Sequence, residues 1–182
     1  MKNTISKTPR TGEISVREKI FRLGEMDLTP IRRKLQEPFP EGRGWSTEQA
    51  IEAEKWYRRY LHIIIQYPDA TSHVPNEAID AFWHQHILDT EKYANDCEHV
   101  LGYFLHHYPY FGLNGDEEER DRAFVETNRL FKETFGEDCT HMFIGTKMAS
   151  GCKDSGSGTG CKQGCRKGSH HRYAIQEDLI VA

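Results

Sequence analysis

Side chains that ligate transition metals crowd one stretch of this chain. Imidazole nitrogens and thiolate sulfurs are the donors found in zinc, copper and iron sites. Large aromatic residues alternate with these donors and are expected to pack in a core, so the sequence predicts a buried polar site. The donors are His84, His86, Cys97, His106 and His107, and the aromatic residues are Trp83, Tyr93, Phe104 and Tyr108.

The spacing of the donors decides which of them can meet. On a continuous helix, residues two apart point about 200° apart, so His84 and His86 can face one ion only if the helix ends or loosens there. Asp80 and His84 are four apart and share a helical face, which would let the Asp80 carboxylate accept the second ring N–H of a ligated His84. His106 and His107 are adjacent and diverge by about 100°, so at most one of them belongs to an inward-facing group.

These constraints favour a transition-metal site centred on His84 and Cys97. The third ligand would come from His86, His106 or His107. Neutral imidazoles with one thiolate suit zinc or copper better than calcium or magnesium. Two other interpretations stay open: the donors are polar core residues without a metal, or they form an acid–base site. The residues expected around the site are Asp80 and Asp96, which would orient ligands, and Trp83 and Tyr93, which would exclude water.

Helical patterns fill the chain around this stretch. Ser46 followed by Gln49 has the form of a capping box, and a broad apolar face begins behind it at Ile51. Gly24 and Gly136 stand where glycine commonly ends a helix. No strand-like alternation competes with these patterns, so the predicted fold class is all-α. The expected helices cover residues 13–24, 29–37, 47–66, 76–88, 90–101 and 116–135.

Composition predicts one domain with polar ends. The chain has 182 residues, of which 37% are hydrophobic, and the apolar residues concentrate in its middle. We expect a compact multi-helix domain over residues 13–143, a disordered N-terminus over 1–12, and a basic tail rich in Gly, Ser and Cys over 144–182.

Charge and apolar patterning exclude some classes of function. A formal net charge of −4 argues against a general nucleic-acid binder, because such domains are usually basic. No apolar run approaches the roughly 18 residues that a membrane span needs. The N-terminal residues lack the apolar core of a secretory signal, so the five cysteines are expected to be reduced thiols in the cytoplasm.

The tail carries three further thiols, Cys152, Cys161 and Cys165. Their C-x8-C-x3-C spacing is not a compact zinc motif, although the glycines around them would let the chain wrap an ion. The tail is therefore interpreted either as a solvated segment without a fixed role or as a site of soft-metal capture or thiol exchange.

The central stretch resembles the glycine-rich domain-containing protein-like family. The residues that carry the resemblance are Asp80, Trp83, His84, His86, Tyr93, Asp96, Cys97 and Gly102. The F-L-H-H-Y-P sequence that follows is similar to the microbial branch. The resemblance implies a shared helical domain and makes His106 and His107 weaker candidates than the earlier donors, but it implies no activity.

Three hypotheses for function follow from the sequence. The first is a cytosolic metal-binding domain, in which zinc or copper would be held by the His/Cys set. The second is a non-catalytic module that binds an unknown protein partner, with W-H-x-H as a structural motif. The third is that the Cys-rich tail is itself the target of metal loading, oxidation or modification. Whether the protein is an enzyme is left undecided.

Overall fold

Six α-helices and the segments between them make up the computed structural model, which describes residues 14–70 and 73–141. No strand occurs within these ranges, so the prediction of an all-α fold is confirmed. The expected disordered N-terminus (1–12) and the whole Cys-rich tail (144–182) lie outside the described residues. The helices are α1 Val16–Glu25, α2 Thr29–Gln36, α3 Thr47–Gln66, α4 Glu77–Leu88, α5 Thr90–Val100 and α6 Glu117–Phe135.

Helix α3 is the centre of the fold and contacts α1, α2, α4 and α6. It begins with the capping box expected from the sequence: Gln49 N–H donates to Ser46 Oγ at 3.2 Å, and Ser46 N–H donates to Gln49 Oε1 at 2.9 Å. Its inner face buries Trp56 and Tyr60 completely. Ile51 was expected on that face, but it is half exposed and lies outside the buried stripe.

Helix α4 is buried along most of its length because it packs against α2, α3 and α5. Asn76 caps its start, with the side-chain oxygen accepting from Ile79 N–H at 2.9 Å. The helix continues without interruption to Leu88, and α5 begins directly after Asp89. The helix is therefore regular at both His84 and His86.

The segment 101–116 joins α5 to α6 without helix or strand. Gly102 has a φ of 80° and donates its N–H to the carbonyls of Cys97 and Glu98, which turns the chain at the end of α5. Burial then alternates, with Leu105 inside and its neighbours Phe104 and His106 outside. Phe104 and Tyr108 were expected in the core, and that expectation was wrong, because both fall on the outward positions of this alternation.

Helix α6 covers one side of α3 and starts with an acidic first turn. It ends at Gly136, whose φ of 76° confirms the expected glycine cap. Gly24 does not end α1, because that helix continues to Glu25. None of the helices in the described ranges has the length and apolar character required to cross a bilayer.

Replacing Gly102 or Gly24 with alanine should change the free energy of unfolding in opposite directions. Gly102→Ala should lower the free energy of unfolding by about 1–2 kcal/mol, because the left-handed conformation is costly for a residue with a Cβ. Gly24→Ala should raise it by about 0.5 kcal/mol, because Gly24 is helical and a Cβ there meets no atom within 4 Å. Urea denaturation measures both changes. Changes of the same sign would contradict the left-handed conformation of Gly102 or the helical conformation of Gly24.

Candidate metal centre

One His/Asp cluster brings three potential ligand atoms together. His84 Nε2 lies 2.7 Å from His107 Nε2, His107 Nε2 lies 3.3 Å from Asp80 Oδ1, and His84 Nε2 lies 3.6 Å from the same oxygen. Among the described His, Cys, Asp and Glu residues, this is the cluster in which the ligand atoms of at least three residues lie close together. The cluster contains two of the predicted donors and one residue expected to support them.

Two different elements supply the cluster. Asp80 and His84 lie one turn apart on α4, so they share a face, as their spacing predicts. His107 comes from the 101–116 segment and packs its ring against Trp83, with ring centroids 5.0 Å apart. The side chains of Asp80 and His107 are 10% and 11% exposed, whereas that of His84 is 39% exposed. The cluster is therefore closed on the protein side and open on the His84 side.

The dimensions of the cluster match those of a metal-binding triad. Three atoms with these separations lie on a circle of radius about 1.9 Å, just below the zinc–nitrogen and zinc–oxygen bond lengths of about 2.0–2.2 Å. Asp80, His84 and His107 would therefore be the residues that hold such a cation. Two histidines and one carboxylate are also a ligand set that proteins use for zinc and for non-haem iron.

The protonation of His84 also suits a ligand. Burial lowers the pKa of His84 below its usual value, against the opposing effect of the Asp80 carboxylate. His84 is therefore neutral at pH 7, and a neutral imidazole has the lone pair that metal coordination requires.

His86 was predicted as a ligand, but it does not join this cluster. It is 1% exposed, and α4 directs it to the opposite side, where Tyr57 Oη lies 3.0 Å from Nδ1 and Asp96 Oδ2 lies 3.0 Å from Nε2. Because a carboxylate only accepts, Nε2 donates to Asp96, and in a neutral imidazole Nδ1 then accepts from the Tyr57 hydroxyl. Lys92 also donates to Asp96 Oδ2, at 2.8 Å. Protein groups therefore engage both ring nitrogens of His86.

Cys97 was the preferred partner of His84, and it too lies outside the cluster. It is buried, and its sulfur accepts from the Leu105 backbone N–H and contacts the Tyr93 hydroxyl. Burial raises the pKa of the Cys97 thiol, which favours the protonated form over the thiolate that binds metals. The sequence-based set of His84 with Cys97 is replaced in the structure by His84 with Asp80 and His107.

The remaining predicted residues fall into three groups. His106 is exposed and packs against Phe104, with ring centroids 4.9 Å apart. Trp83 and Tyr93 are buried beside the cluster, where their indole and phenol groups hydrogen-bond each other. The tail thiols Cys152, Cys161 and Cys165 lie outside the described residues. Sequence reasoning noted the shared face of Asp80 and His84 but assigned Asp80 to ligand orientation rather than coordination.

The chain belongs to the UCP032817-like family, whose model matches residues 24–140. No curated protein and no solved structure matches it. The matched region includes the whole His/Asp cluster and all of α2 to α6. The resemblance to the glycine-rich domain-containing protein-like family is not tested by this match and stays a prediction.

The buried contacts of Asp96 predict a pH-dependent contribution to stability. Burial would raise the pKa of Asp96, but hydrogen bonds from His86 and Lys92 lower it, and the net value lies below the usual one. A carboxyl whose folded pKa is depressed stabilises the fold above its unfolded pKa, and this contribution disappears as the pH falls through the folded value. Asp96→Asn should therefore be less stable than wild type near neutral pH.

The difference between wild type and Asp96→Asn should shrink as the pH falls from about 5 to about 3, since the wild-type carboxylate then becomes protonated. Urea denaturation at several pH values measures this difference. A constant difference across the range would show that Asp96 does not contribute through its charge.

Proposed function

We propose that this protein binds one divalent transition-metal ion through Asp80, His84 and His107. The observation that carries the proposal is the convergence of two imidazole nitrogens and one carboxylate oxygen within 3.6 Å of one another. Zinc is the expected ion, because it accepts imidazole and carboxylate ligands without a preference for one geometry. Iron(II) shares this ligand set, whereas copper(I) prefers the thiolate that the cluster lacks.

Either a proton or a cation can join these three atoms. A proton on His107 Nε2 can be shared between His84 Nε2 and Asp80 Oδ1, which lie 2.7 and 3.3 Å away. A single cation would instead engage all three atoms at once, with both imidazoles as neutral ligands.

The open side of the cluster suits a reactive metal rather than a closed structural one. Structural zinc sites usually have four protein ligands, whereas catalytic sites keep one position for water or substrate. Three ligands come from the protein here, and the exposed edge of His84 leads to solvent. We therefore propose an ion with a free coordination position, in a protein of the reducing cytosol. The reaction and its substrate are not part of this proposal.

A second candidate function is a non-catalytic module in which the same cluster is a structural clamp. It is favoured by the 2.7 Å contact between His84 and His107, a distance at which a shared proton forms a hydrogen bond. In that case the W-H-x-H motif fixes the 101–116 segment to α4, and the protein acts through a partner that binds its surface.

Elemental analysis of full-length protein prepared without a histidine tag distinguishes these candidates. We expect one zinc or iron ion per chain, and at least a tenfold loss of affinity in His84→Ala and His107→Ala, since each variant removes one of three ligands. Asp80→Asn should also weaken binding, because it removes the anionic ligand. Competition with a chromophoric chelator gives the affinities.

Matched controls separate this site from the other donors. His106→Ala removes the exposed imidazole next to His107, and the triple variant Cys152→Ser, Cys161→Ser, Cys165→Ser removes the tail thiols. Both should retain the ion. Loss of the ion in the triple variant alone would favour the tail as the metal-loading site, and wild-type protein that binds no metal would favour the clamp.

A further inference from the structure

The metal ligand His107 lies on an irregular segment, unlike its two partners on α4. Asp80 and His84 are fixed by a buried helix, whereas residues 101–116 have no helical or strand hydrogen bonding to hold them. A ligand residue that becomes ordered only when the metal binds lowers the affinity of the site, because its ordering costs conformational entropy. The contacts that hold this segment in place therefore set part of the affinity for the proposed metal. This inference rests on the metal site proposed above.

A buried hydrogen-bond relay connects α4 to this segment. Trp83 Nε1–H donates to the Tyr93 hydroxyl at 2.8 Å, and that hydroxyl donates to the Leu105 carbonyl at 2.5 Å. The side chains of all three residues are at most 2% exposed. The relay thus joins α4, α5 and the segment within the core, where hydrogen bonds are shielded from competing water.

Both ends of the relay adjoin the metal ligands. Trp83 precedes His84 on α4, and its indole ring packs against the His107 ring with centroids 5.0 Å apart. Leu105 lies two residues before His107, and both are more buried than their neighbours Phe104, His106 and Tyr108. With the Leu105 carbonyl fixed, His107 points inward towards α4 and His106 points outward.

We propose that Tyr93 is a positioning residue for the metal centre. Its hydroxyl accepts from Trp83 and donates to Leu105, and in this way it holds the His107 imidazole at coordination distance from Asp80 and His84. Tyr93 does not touch the ion. Its effect is transmitted through the Leu105 carbonyl to the one ligand that regular secondary structure does not fix.

Tyr57 offers a matched control for this role. Tyr57 and Tyr93 are both buried, and the hydroxyl of each makes a hydrogen bond inside the same core. The Tyr57 hydroxyl bonds His86, on the side of α4 away from the cluster, whereas the Tyr93 hydroxyl bonds the segment that carries His107. If either hydroxyl had only a structural role, its removal would lower the stability of the fold without a specific effect on metal affinity.

The test is a cobalt(II) titration of full-length wild type, Tyr93→Phe and Tyr57→Phe, followed by visible absorption. Tyr93→Phe should bind cobalt about 10- to 100-fold more weakly, the range found when an outer partner of a metal ligand is removed. Tyr57→Phe should bind with wild-type affinity. If Tyr93→Phe is marginally folded, the rise in its melting temperature with cobalt concentration gives the affinity of its native state.

A double-mutant cycle tests whether the effect passes through His107. Tyr93→Phe should weaken cobalt binding in wild type but cause no further loss in a His107→Ala background. Equal affinity of wild type and Tyr93→Phe, or an equal loss in Tyr57→Phe, would overturn the positioning role while leaving the metal site intact. Wild-type protein that binds no cobalt and contains no other metal would overturn the metal site, and the positioning role with it.

Discussion

The continuity of α4 decides which side chains of this protein can meet. An unbroken helix sends His84 and His86 in nearly opposite directions, so a single ion cannot bind both. The same helical geometry puts Asp80 beside His84, one turn earlier. The His/Asp cluster and the buried network around His86 therefore both depend on one regular helix. A kink between His84 and His86 would change the directions of both side chains and disrupt these contacts.

Much of this arrangement could be predicted because it is local. The start of α3 follows from the Ser46–Gln49 capping box. The break between α4 and α5 falls at Asp89, as expected, although the Asp89 side chain makes no capping hydrogen bond. The pairing of Asp80 with His84 depends only on spacing along one helix. These inferences use residues that are close together in the sequence, so a single sequence contains the information they need.

The third member of the cluster could not be predicted in this way, because it depends on the path of an irregular segment. Sequence reasoning preferred Cys97 as the partner of His84, whereas the fold buries that thiol in the core beside Tyr93 and Leu105. Choosing His107 over His106 needs the inward or outward phase of residues 104–108, which Leu105 sets by entering the core. The sequence alone does not fix that phase, because Phe104 and Tyr108 are also typical core residues and would place the alternation the other way.

The two polar systems on either side of α4 differ in how far the fold encloses them. His86 is 1% exposed, and its contacts with Tyr57 and Asp96 stabilise one packing of the core. The cluster of Asp80, His84 and His107 is closed on the protein side, but the His84 side chain is 39% exposed. The same helix therefore directs one imidazole into the core, where it supports the fold, and the other towards solvent, where a ligand can reach it.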